Sequence, residues 1–265
     1  MKVTIITVCY NACEELRMTL ESVCEQTFKG IEYIVVDGGS ADGTLSLLEE
    51  FRSKFSNNGI SFRYISEHDE GTYDAMNKGA SMAKGEWINY MNAGDRFFSI
   101  NSITQFFSHN INADSGILYG DTLQVFDFGS GIAKATDYAK DNPIMPFCHQ
   151  SCFVKADLVK KYRFDTSYKI IADHDFFFRL YEDGIKSQYI EEVVAQYNGQ
   201  YGISATHPLT LRLEGLRIHH VTERWYYPLA VCWCYLRYGW VQPFKNHMPR
   251  WMTNVWMKHK RKFIK

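Results

Sequence analysis

The sequence predicts an α/β fold with a doubly wound, mostly parallel sheet. Short apolar, β-branched runs alternate with helical patterns through the first hundred residues, which is typical of parallel strands joined by crossover helices. The chain has 265 residues, of which 46% are apolar. That length suits one large domain, or one domain with an appendage, and is enough to bury a sizeable core.

Four strands and three helices are predicted in the first half of the chain. Asn11 caps the first helix, with Glu14 three residues later. The strands cover residues 3–8, 31–36, 60–65 and 87–91, and the other two helices cover 44–55 and 73–84. The residues turned inward are Leu16, Leu20 and Val23 in the first helix, and Leu45, Leu48 and Phe51 in the second.

The second half of the chain is less regular. Residues 117–128 and 132–136 predict antiparallel strands around the turn Gly129-Ser130-Gly131. Two helical stretches follow, near residues 155–162 and 173–183.

Charge is unevenly distributed along the chain and marks a domain boundary. Residues 224–265 contain nine Lys and Arg and no acidic residue, whereas residues 1–223 carry a net negative charge. We therefore expect a domain over 1–223 and a separate C-terminal segment over 224–265. A dedicated nucleic-acid binder is basic on its folded part, so no nucleic-acid partner is expected.

The cysteines and the N-terminal residues indicate a cellular compartment. The seven cysteines include no C-x-x-C pair, which is typical of free thiols in a reducing cytosol. The apolar run at the N-terminus is too short for the core of a signal peptide. The sequence therefore predicts a cytoplasmic protein.

Polar residues follow each of the four predicted strands, at the sheet edge where open α/β proteins bind their ligands. These segments are 7–11, 37–42, 67–74 and 92–95, and they make this edge acidic. A phosphate ligand there needs a divalent cation between it and the carboxylates. The first strand is followed by Thr-Val-Cys-Tyr-Asn, without a glycine, and no Walker A loop occurs. Dinucleotide-dependent hydride transfer and P-loop chemistry are therefore disfavoured.

Four motifs lie at these strand ends: VTIITVCYN at residues 3–11, VDGGSADGT at 36–44, SEHDEGTYDAMNKG at 66–79 and MNAGD at 91–95. A later Asp-x-Asp opens a predicted helix. In order and spacing they resemble the motifs of glycosyltransferase family 2, and the resemblance spans roughly residues 1–200. It implies the GT-A fold and the group of bacterial enzymes that build capsule, exopolysaccharide or O-antigen units from nucleotide-sugars.

The resemblance implies a donor site at the first three strand ends and at the fourth motif. Its residues are Thr7, Tyr10, Asn11, Asp37, Asp69, Gly71 and Asn92. Asp37 would accept a hydrogen bond from the base or the ribose. The alternative for Asp37 is a turn-forming role before Gly38-Gly39, and both roles are compatible.

The resemblance also implies a divalent metal, Mg²⁺ or Mn²⁺, bound by Asp95. The family's Asp-x-Asp is here Asn92-Ala93-Gly94-Asp95, which keeps one carboxylate. Asn92 would add a carbonyl oxygen or contact the sugar. The ion would bridge the diphosphate oxygens. The alternative for Asp95 is the N-cap of the next helix.

By the same resemblance the catalytic base is Asp173, with Asp175 as the second candidate. Ala172 stands where the family has a Glu. A sugar hydroxyl is a poor nucleophile until its proton has an acceptor, which a carboxylate provides. The alternative for Asp173 is a helix cap. His149-Gln150 is expected to contact the diphosphate, the metal or the acceptor, or else His149 is a buried structural residue.

The C-terminal segment combines aromatic and basic residues. Five of the six tryptophans lie after residue 224, and Pro228, Arg237 and Gly239 interrupt the apolar run, which disfavours a spanning helix. Aromatic and basic residues together are typical of a segment that lies on an anionic membrane surface. The alternative is a helix packed on the catalytic domain or on a second copy in a homodimer.

Together these expectations describe an inverting glycosyltransferase. It would move a hexosyl or N-acetylhexosaminyl unit from a nucleotide-sugar, with a UDP-sugar favoured, to a saccharide or polyprenyl-linked acceptor. It would work in the cytoplasm, peripheral on the inner face of the cell membrane, in cell-surface polysaccharide synthesis. The alternative from another class is a non-catalytic subunit that binds a nucleotide-sugar or a glycan on the same fold.

Overall fold

The computed structural model describes residues 2–136, 145–199 and 207–239, together with Met252. Over these residues the chain forms one nine-stranded sheet with helices on both faces. The strands are β1 Val3–Cys9, β2 Ile31–Asp37, β3 Ser61–Ser66, β4 Trp87–Tyr90, β5 Arg96–Phe97, β6 Ile117–Phe126, β7 Gly129–Ala133, β8 Cys152–Lys155 and β9 Ser187–Asn198. The helices are α1 Cys13–Cys24, α2 Thr44–Asn57, α3 Thr72–Met82, α4 Ser102–Ser108, α5 Ala156–Tyr162, α6 Ala172–Glu182, α7 Pro208–Ile218 and α8 Tyr227–Tyr238.

The strand order is β3-β2-β1-β4-β8-β6-β9-β5, with β7 paired to β6. The first four strands are parallel. Strand β8 is antiparallel to both β4 and β6, and β9 returns parallel to β6. The predicted doubly wound, mostly parallel sheet is confirmed in the N-terminal half, where each crossover helix joins two parallel strands.

Both faces of β1 are covered, which explains its unbroken apolar sequence. Ile5 packs with Leu16 and Leu48 of α1 and α2 on one face of the sheet. Ile6 packs with Met76 of α3 on the other, where Phe176 of α6 joins the same cluster. The two apolar layers hold the sheet edge that carries the polar strand ends.

Asn11 does not cap α1, contrary to the sequence prediction. Helix α1 begins at Cys13, and the N–H of Cys13 donates to Asp42 Oδ2 at 3.0 Å. Asn11 has a positive φ of 47°, and its side-chain oxygen accepts the N–H of Ala41 at 2.9 Å. The cap is therefore supplied by the loop after β2, 29 residues away in sequence, and local spacing carries no signal of it.

Two smaller predictions are also wrong. Leu45 lies in the first turn of α2 and is exposed, while Leu47 and Leu48 are buried. The hairpin turn is at residues 127–128, and the three glycine-serine residues predicted for it lie in β7. Strand β9 was not predicted, because its buried residues, Ile190, Val194 and Ala195, follow no regular period of two.

Helix α8 begins beyond the expected boundary at residue 224 and packs on α7, where the Arg212 guanidinium lies 5.5 Å from the Tyr238 ring. Cys234 of α8 is buried. No helix in the described ranges is both long and apolar enough to cross a membrane. The division at residue 224 stays a prediction, and residues 240–265 other than Met252 lie outside the described part.

Candidate active site

A cavity of about 1240 Å³ opens beside the carboxyl end of β4. Its walls come from the segment after β4, the one-turn 3₁₀ helix His149–Ser151, the start of α6 and one face of α7. Asn92, Asp95 and Asp173 all line it. The residues predicted for the donor and metal sites, Asn92 and Asp95, therefore share one cavity with the predicted base, Asp173.

Asp173 stands in the first turn of α6, with its side chain 17% exposed. Its Oδ2 lies 3.1 Å from His149 Nδ1, and Tyr73 Oη lies 3.4 Å from its Oδ1. Burial opposes ionisation of this carboxyl, but the hydrogen bond and charge of His149 outweigh burial and lower its pKa. The same contact raises the pKa of His149 against the opposing effect of burial. Asp173 is therefore an ionised carboxylate with a fixed partner.

Asp175, the second candidate base, lies on the other side of α6. Its Oδ2 accepts a hydrogen bond from Arg179 Nε at 2.8 Å, one helical turn later. Asp175 is buried and is absent from the cavity wall. This ion pair gives Asp175 a structural contact, and the geometry favours Asp173 of the two.

The 3₁₀ turn connects Asp95 and Asp173, two of the acidic residues that line the cavity. His149 contacts Asp173, and the next residue, Gln150, donates from Nε2 to Asp95 Oδ2 at 2.9 Å. Asn89 of β4 holds the turn, because its side-chain amide donates to the carbonyl oxygens of Gln150 and Cys152 at 2.8 Å each. The position of Asp173 is thus tied to the position of Asp95.

Asp95 is 8% exposed, and burial raises the pKa of its carboxyl to about 6 in spite of the bond from Gln150. Thr19 Oγ1 donates to the Asp95 carbonyl oxygen at 2.7 Å and fixes the backbone there. Helix α4 begins later, at Ser102, so the alternative of Asp95 as its N-cap is wrong.

The residues around Asp95 fit a loosely held divalent cation. Among the described residues, Asn92 Oδ1 is buried without a hydrogen-bond partner, and the Asp95 carboxylate accepts one side-chain hydrogen bond, from Gln150. These are the oxygen ligands that Mg²⁺ and Mn²⁺ prefer. Within the described ranges no three His, Cys, Asp or Glu side chains are grouped to hold a metal. A bound ion would take its remaining ligands from the substrate and water.

Asp37 lies at the end of β2 and is fully buried. Its carboxylate accepts hydrogen bonds from the hydroxyls of Ser40 and Ser66 and from the N–H groups of Gly39 and Ser40. Burial opposes ionisation, but these bonds outweigh it and lower the pKa of Asp37. The turn-forming role left open by the sequence is therefore present.

Tyr10, Asn11, Asp69 and Gly71 form a second group at the ends of β1 and β3. Asp69 Oδ1 accepts the N–H of Gly71 at 2.9 Å. A Cβ at Gly38 would lie 2.7 Å from Asp69 Oδ2 and 3.3 Å from the Tyr10 ring, so only glycine permits this approach. Tyr10 is exposed beside it and offers a ring face to a planar ligand.

Thr7 is also predicted for the donor site, but it contacts neither the cavity residues nor the second group. Its side chain has no exposed surface, and Oγ1 lies 2.6 Å from the Met91 carbonyl oxygen and 2.9 Å from Tyr33 Oη. Thr7 thus joins strand β1 to its neighbours, and we leave it out of the donor site.

Comparison with known proteins gives the family. The family model described as Glycosyl transferase family 2 matches residues 4–182 of the chain. The chain belongs to this family. The matched region begins in β1 and ends with α6, so it contains every predicted site residue of this glycosyltransferase.

Mycobacterial proteins are among the relatives of this glycosyltransferase. A PGL/p-HBAD biosynthesis glycosyltransferase of Mycobacterium bovis is 29% identical over 202 residues, which cover 74% of this chain and 76% of the relative. An uncharacterised glycosyltransferase of Mycobacterium tuberculosis is 31% identical over 191 residues, covering 67% and 68%.

Solved structures confirm the expected GT-A fold. The mannosyltransferase PcManGT of Pyrobaculum calidifontis, in complex with GDP-Man and Mn²⁺, has a TM-score of 0.64 at 17% identity, covering 91% of this chain and 72% of that one. S. aureus TarS 1-349, in complex with UDP-GlcNAc, has a TM-score of 0.63 at 19% identity, covering 83% and 66%.

Sequence reasoning missed two residues that contact the segment before α6. Tyr73 lies inside the third motif, ahead of the Asn77-Lys78-Gly79 that ends it. Its place in that motif was the signal available from the sequence. Glu214 of α7 contacts the segment before α6, and no motif marks it, because it lies beyond the matched region.

We expect Asp37→Asn to lower the free energy of unfolding at pH 7 by about 2 kcal/mol, because an amide accepts fewer hydrogen bonds than a carboxylate. The folded-state pKa of Asp37 is lowered, so the stabilisation by its ionised form is present above about pH 3.9 and is lost as the pH falls further. The difference from wild type should therefore narrow in acid. Urea unfolding at a series of pH values measures it.

The control for this prediction is Asp114→Asn, which changes an exposed carboxylate paired with Lys186 and should cost less than about 0.5 kcal/mol. If Asp37→Asn unfolds like wild type at every pH, the turn does not depend on the carboxylate. Nucleotide binding would then be the remaining role of Asp37.

Proposed function

We propose that this glycosyltransferase is an inverting enzyme. It moves a hexosyl or N-acetylhexosaminyl unit from a UDP-sugar to a hydroxyl of a saccharide or polyprenyl-linked acceptor, in cell-surface polysaccharide synthesis. One observation carries the proposal. The cavity joins an ionised carboxylate, Asp173 held by His149, to the Asn92–Asp95 segment through a single turn of chain.

In the proposed reaction the acceptor oxygen attacks the anomeric carbon from the face opposite the nucleoside diphosphate. The new bond joins the acceptor oxygen to that carbon, the bond from the carbon to the phosphate oxygen breaks, and the diphosphate leaves with the electron pair. Asp173 takes the proton of the acceptor hydroxyl. Its lowered pKa keeps the carboxylate ionised at neutral pH, and His149 fixes its direction.

On the donor side, Asp95 and Asn92 would hold Mg²⁺ or Mn²⁺, which neutralises charge on the leaving diphosphate. Tyr10, Asn11 and Asp69 would contact the nucleoside. Two structural neighbours support a nucleotide-sugar donor, since one is in complex with GDP-Man and Mn²⁺ and the other with UDP-GlcNAc. Glycoconjugate biosynthesis is in turn supported by the name of the mycobacterial relative.

The alternative is a non-catalytic subunit that binds a nucleotide-sugar or a glycan. The single carboxylate of the Asn92–Asp95 segment favours it, since metal-dependent members of the resembled family carry two. Against it stands the cost of keeping Asp173 ionised in a cavity wall, which is unnecessary for binding alone. Turnover separates the two functions directly.

We also propose that the enzyme is cytoplasmic and peripheral on the inner face of the membrane. Helix α8 exposes Leu229, Trp233 and Leu236, with 66%, 60% and 68% of each residue accessible. Their spacing of four and three residues places them on one face of the helix. The segment from residue 224 carries only positive charge, which matches an anionic lipid surface. A homodimer through the same face is the alternative.

Asp173→Asn tests the base. The amide keeps the shape of the side chain but takes up no proton, so release of UDP from UDP-sugars should fall by roughly 10²- to 10⁴-fold. Affinity for UDP with Mn²⁺, measured by calorimetry, should stay at the wild-type value. The assignment is wrong if Asp173→Asn turns over normally while Asp175→Asn is the inactive variant.

Asp95→Ala tests the metal site. Its affinity for UDP should fall by about tenfold or more in Mn²⁺, a loss in the range seen when metal-site residues are removed. In EDTA its affinity should equal that of wild type, because only the metal-dependent part of binding is lost. Asp114→Ala removes an exposed carboxylate and serves as the control. Equal UDP affinity of Asp95→Ala and wild type in Mn²⁺ would remove Asp95 from the metal site.

The paired substitution Trp233→Ser with Leu236→Ser tests the membrane surface. Binding to phosphatidylglycerol vesicles should weaken at least tenfold, since inserting each apolar side chain contributes about 1.5–3 kcal/mol. Ile100→Ser, which changes an exposed apolar residue far from α8 in sequence, is the control and should bind as wild type. Unchanged vesicle binding, together with conversion of a dimer to a monomer in light scattering, would establish the homodimer instead.

A further inference from the structure

Glu214 of α7 is a buried carboxylate that faces the catalytic segment from outside the family region. It is 7% exposed, and the family model ends 32 residues earlier, at residue 182. Its Oε1 accepts the N–H of Lys169 at 2.7 Å, and its Oε2 accepts the N–H groups of Ile170 and Ile171 at 3.0 and 3.2 Å. All three donors are successive backbone groups.

These three N–H groups lie directly before the first turn of α6, which carries Asp173. Successive N–H groups at a helix N-terminus form a concave, partly positive surface that binds an anion. A carboxylate on a neighbouring helix is therefore the appropriate partner. It also satisfies donors that would otherwise be buried without acceptors, which is costly.

The same segment is held from its other side. Tyr73 Oη donates to the Ile170 carbonyl oxygen at 2.5 Å. Helix α7 is also attached to the loop before α6. Arg217 Nη2 donates to Ser167 Oγ at 2.9 Å, and the Arg217 guanidinium lies 4.2 Å from the Tyr168 ring. Residues 167–171 are thus fixed between α3 and α7.

We infer that Glu214 is a positioning residue for Asp173, an inference that rests on the proposed function of Asp173 as the base. Glu214 fixes the backbone two residues before Asp173, and His149 fixes the carboxylate itself. A misplacement of about 1 Å at a reacting group can cost 10²-fold in rate. Helix α7 is therefore part of the catalytic machinery, although it lies outside the region shared with the family.

The test compares Glu214→Gln with Glu223→Gln, the same substitution at an exposed position shortly after α7. The panel of donors is UDP-glucose, UDP-galactose, UDP-N-acetylglucosamine and UDP-N-acetylgalactosamine with Mn²⁺. Water serves as the acceptor, and UDP release by hydrolysis gives kcat and KM. The amide keeps one acceptor oxygen and presents its NH₂ group to the backbone N–H on the other side, so the segment loses part of its anchor. We expect kcat to fall at least tenfold, with KM and UDP affinity unchanged. Glu223→Gln should match wild type.

A double substitution separates positioning from a general structural effect. If Glu214 acts through Asp173, adding Glu214→Gln to Asp173→Asn should leave the residual turnover unchanged, because the base that it positions is already lost. A further drop equal to that of Glu214→Gln alone would mean that the two act independently, and the inference would be wrong.

The turnover of the single variants and of wild type also tests the inference and the proposed function. Normal kcat in Glu214→Gln, with Asp173→Asn inactive, overturns the inference and leaves the proposed function standing. Normal turnover in Asp173→Asn, or no UDP release by wild type from any of the four donors, overturns the proposed function itself. If Glu214→Gln does not fold, Glu214→Asp replaces it, since the shorter side chain withdraws the carboxylate from the three N–H groups. That variant should show the same loss of kcat, and normal kcat would contradict the inference.

Discussion

The arrangement of the cavity depends on the need to keep two carboxylates, Asp95 and Asp173, in a largely buried wall. A buried charge is costly unless hydrogen bonds or an opposite charge compensate it. Here both compensating side chains, His149 and Gln150, come from one short 3₁₀ turn. The side chain of Asn89 in β4 holds this 3₁₀ turn by two hydrogen bonds. The sheet itself therefore sets the relative position of the two carboxylates.

The two carboxylates are compensated to different extents, and their chemistry differs accordingly. The contact with His149 lowers the pKa of Asp173 and keeps its carboxylate ionised. Asp95 has one neutral amide donor, and burial raises its pKa to about 6. A carboxylate left short of compensation, beside an Asn92 carbonyl oxygen that has no partner among the described residues, is suited to a cation. The two aspartates thus differ in environment, which supports the different roles proposed for them.

A second use of carboxylates recurs around the sheet edge. Three carboxylates accept backbone N–H groups from a loop or a helix start. Asp37 accepts them from the adjacent loop, whereas Asp42 and Glu214 accept them from helix starts that are distant in sequence. In each case the acid supplies acceptors to donors at the end of an element, where no helix or strand partner exists. The acidic sheet edge is therefore partly structural, and only some of its carboxylates remain available to a ligand.

Much of this protein could be predicted from its sequence. The alternation of apolar runs predicted the parallel half of the sheet, because strands buried on both faces have an uninterrupted apolar pattern. The motifs predicted the family, and they placed Asp95 and Asp173 among the candidate residues. The helix starts that depend on local residues, such as Thr44 and Ala172, were predicted within one residue.

Other features were decided only by the tertiary structure. Asp42 replaces Asn11 at the start of α1, β9 enters the sheet beside β6, and Glu214 reaches the segment before Asp173. Asp173 was separated from Asp175 in the same way, since Arg179 pairs with one and His149 with the other. These contacts join residues far apart in the chain, or depend on which face of a helix meets the cavity. Sequence periodicity reports the burial of a residue, whereas its partners are set by the packing of whole elements.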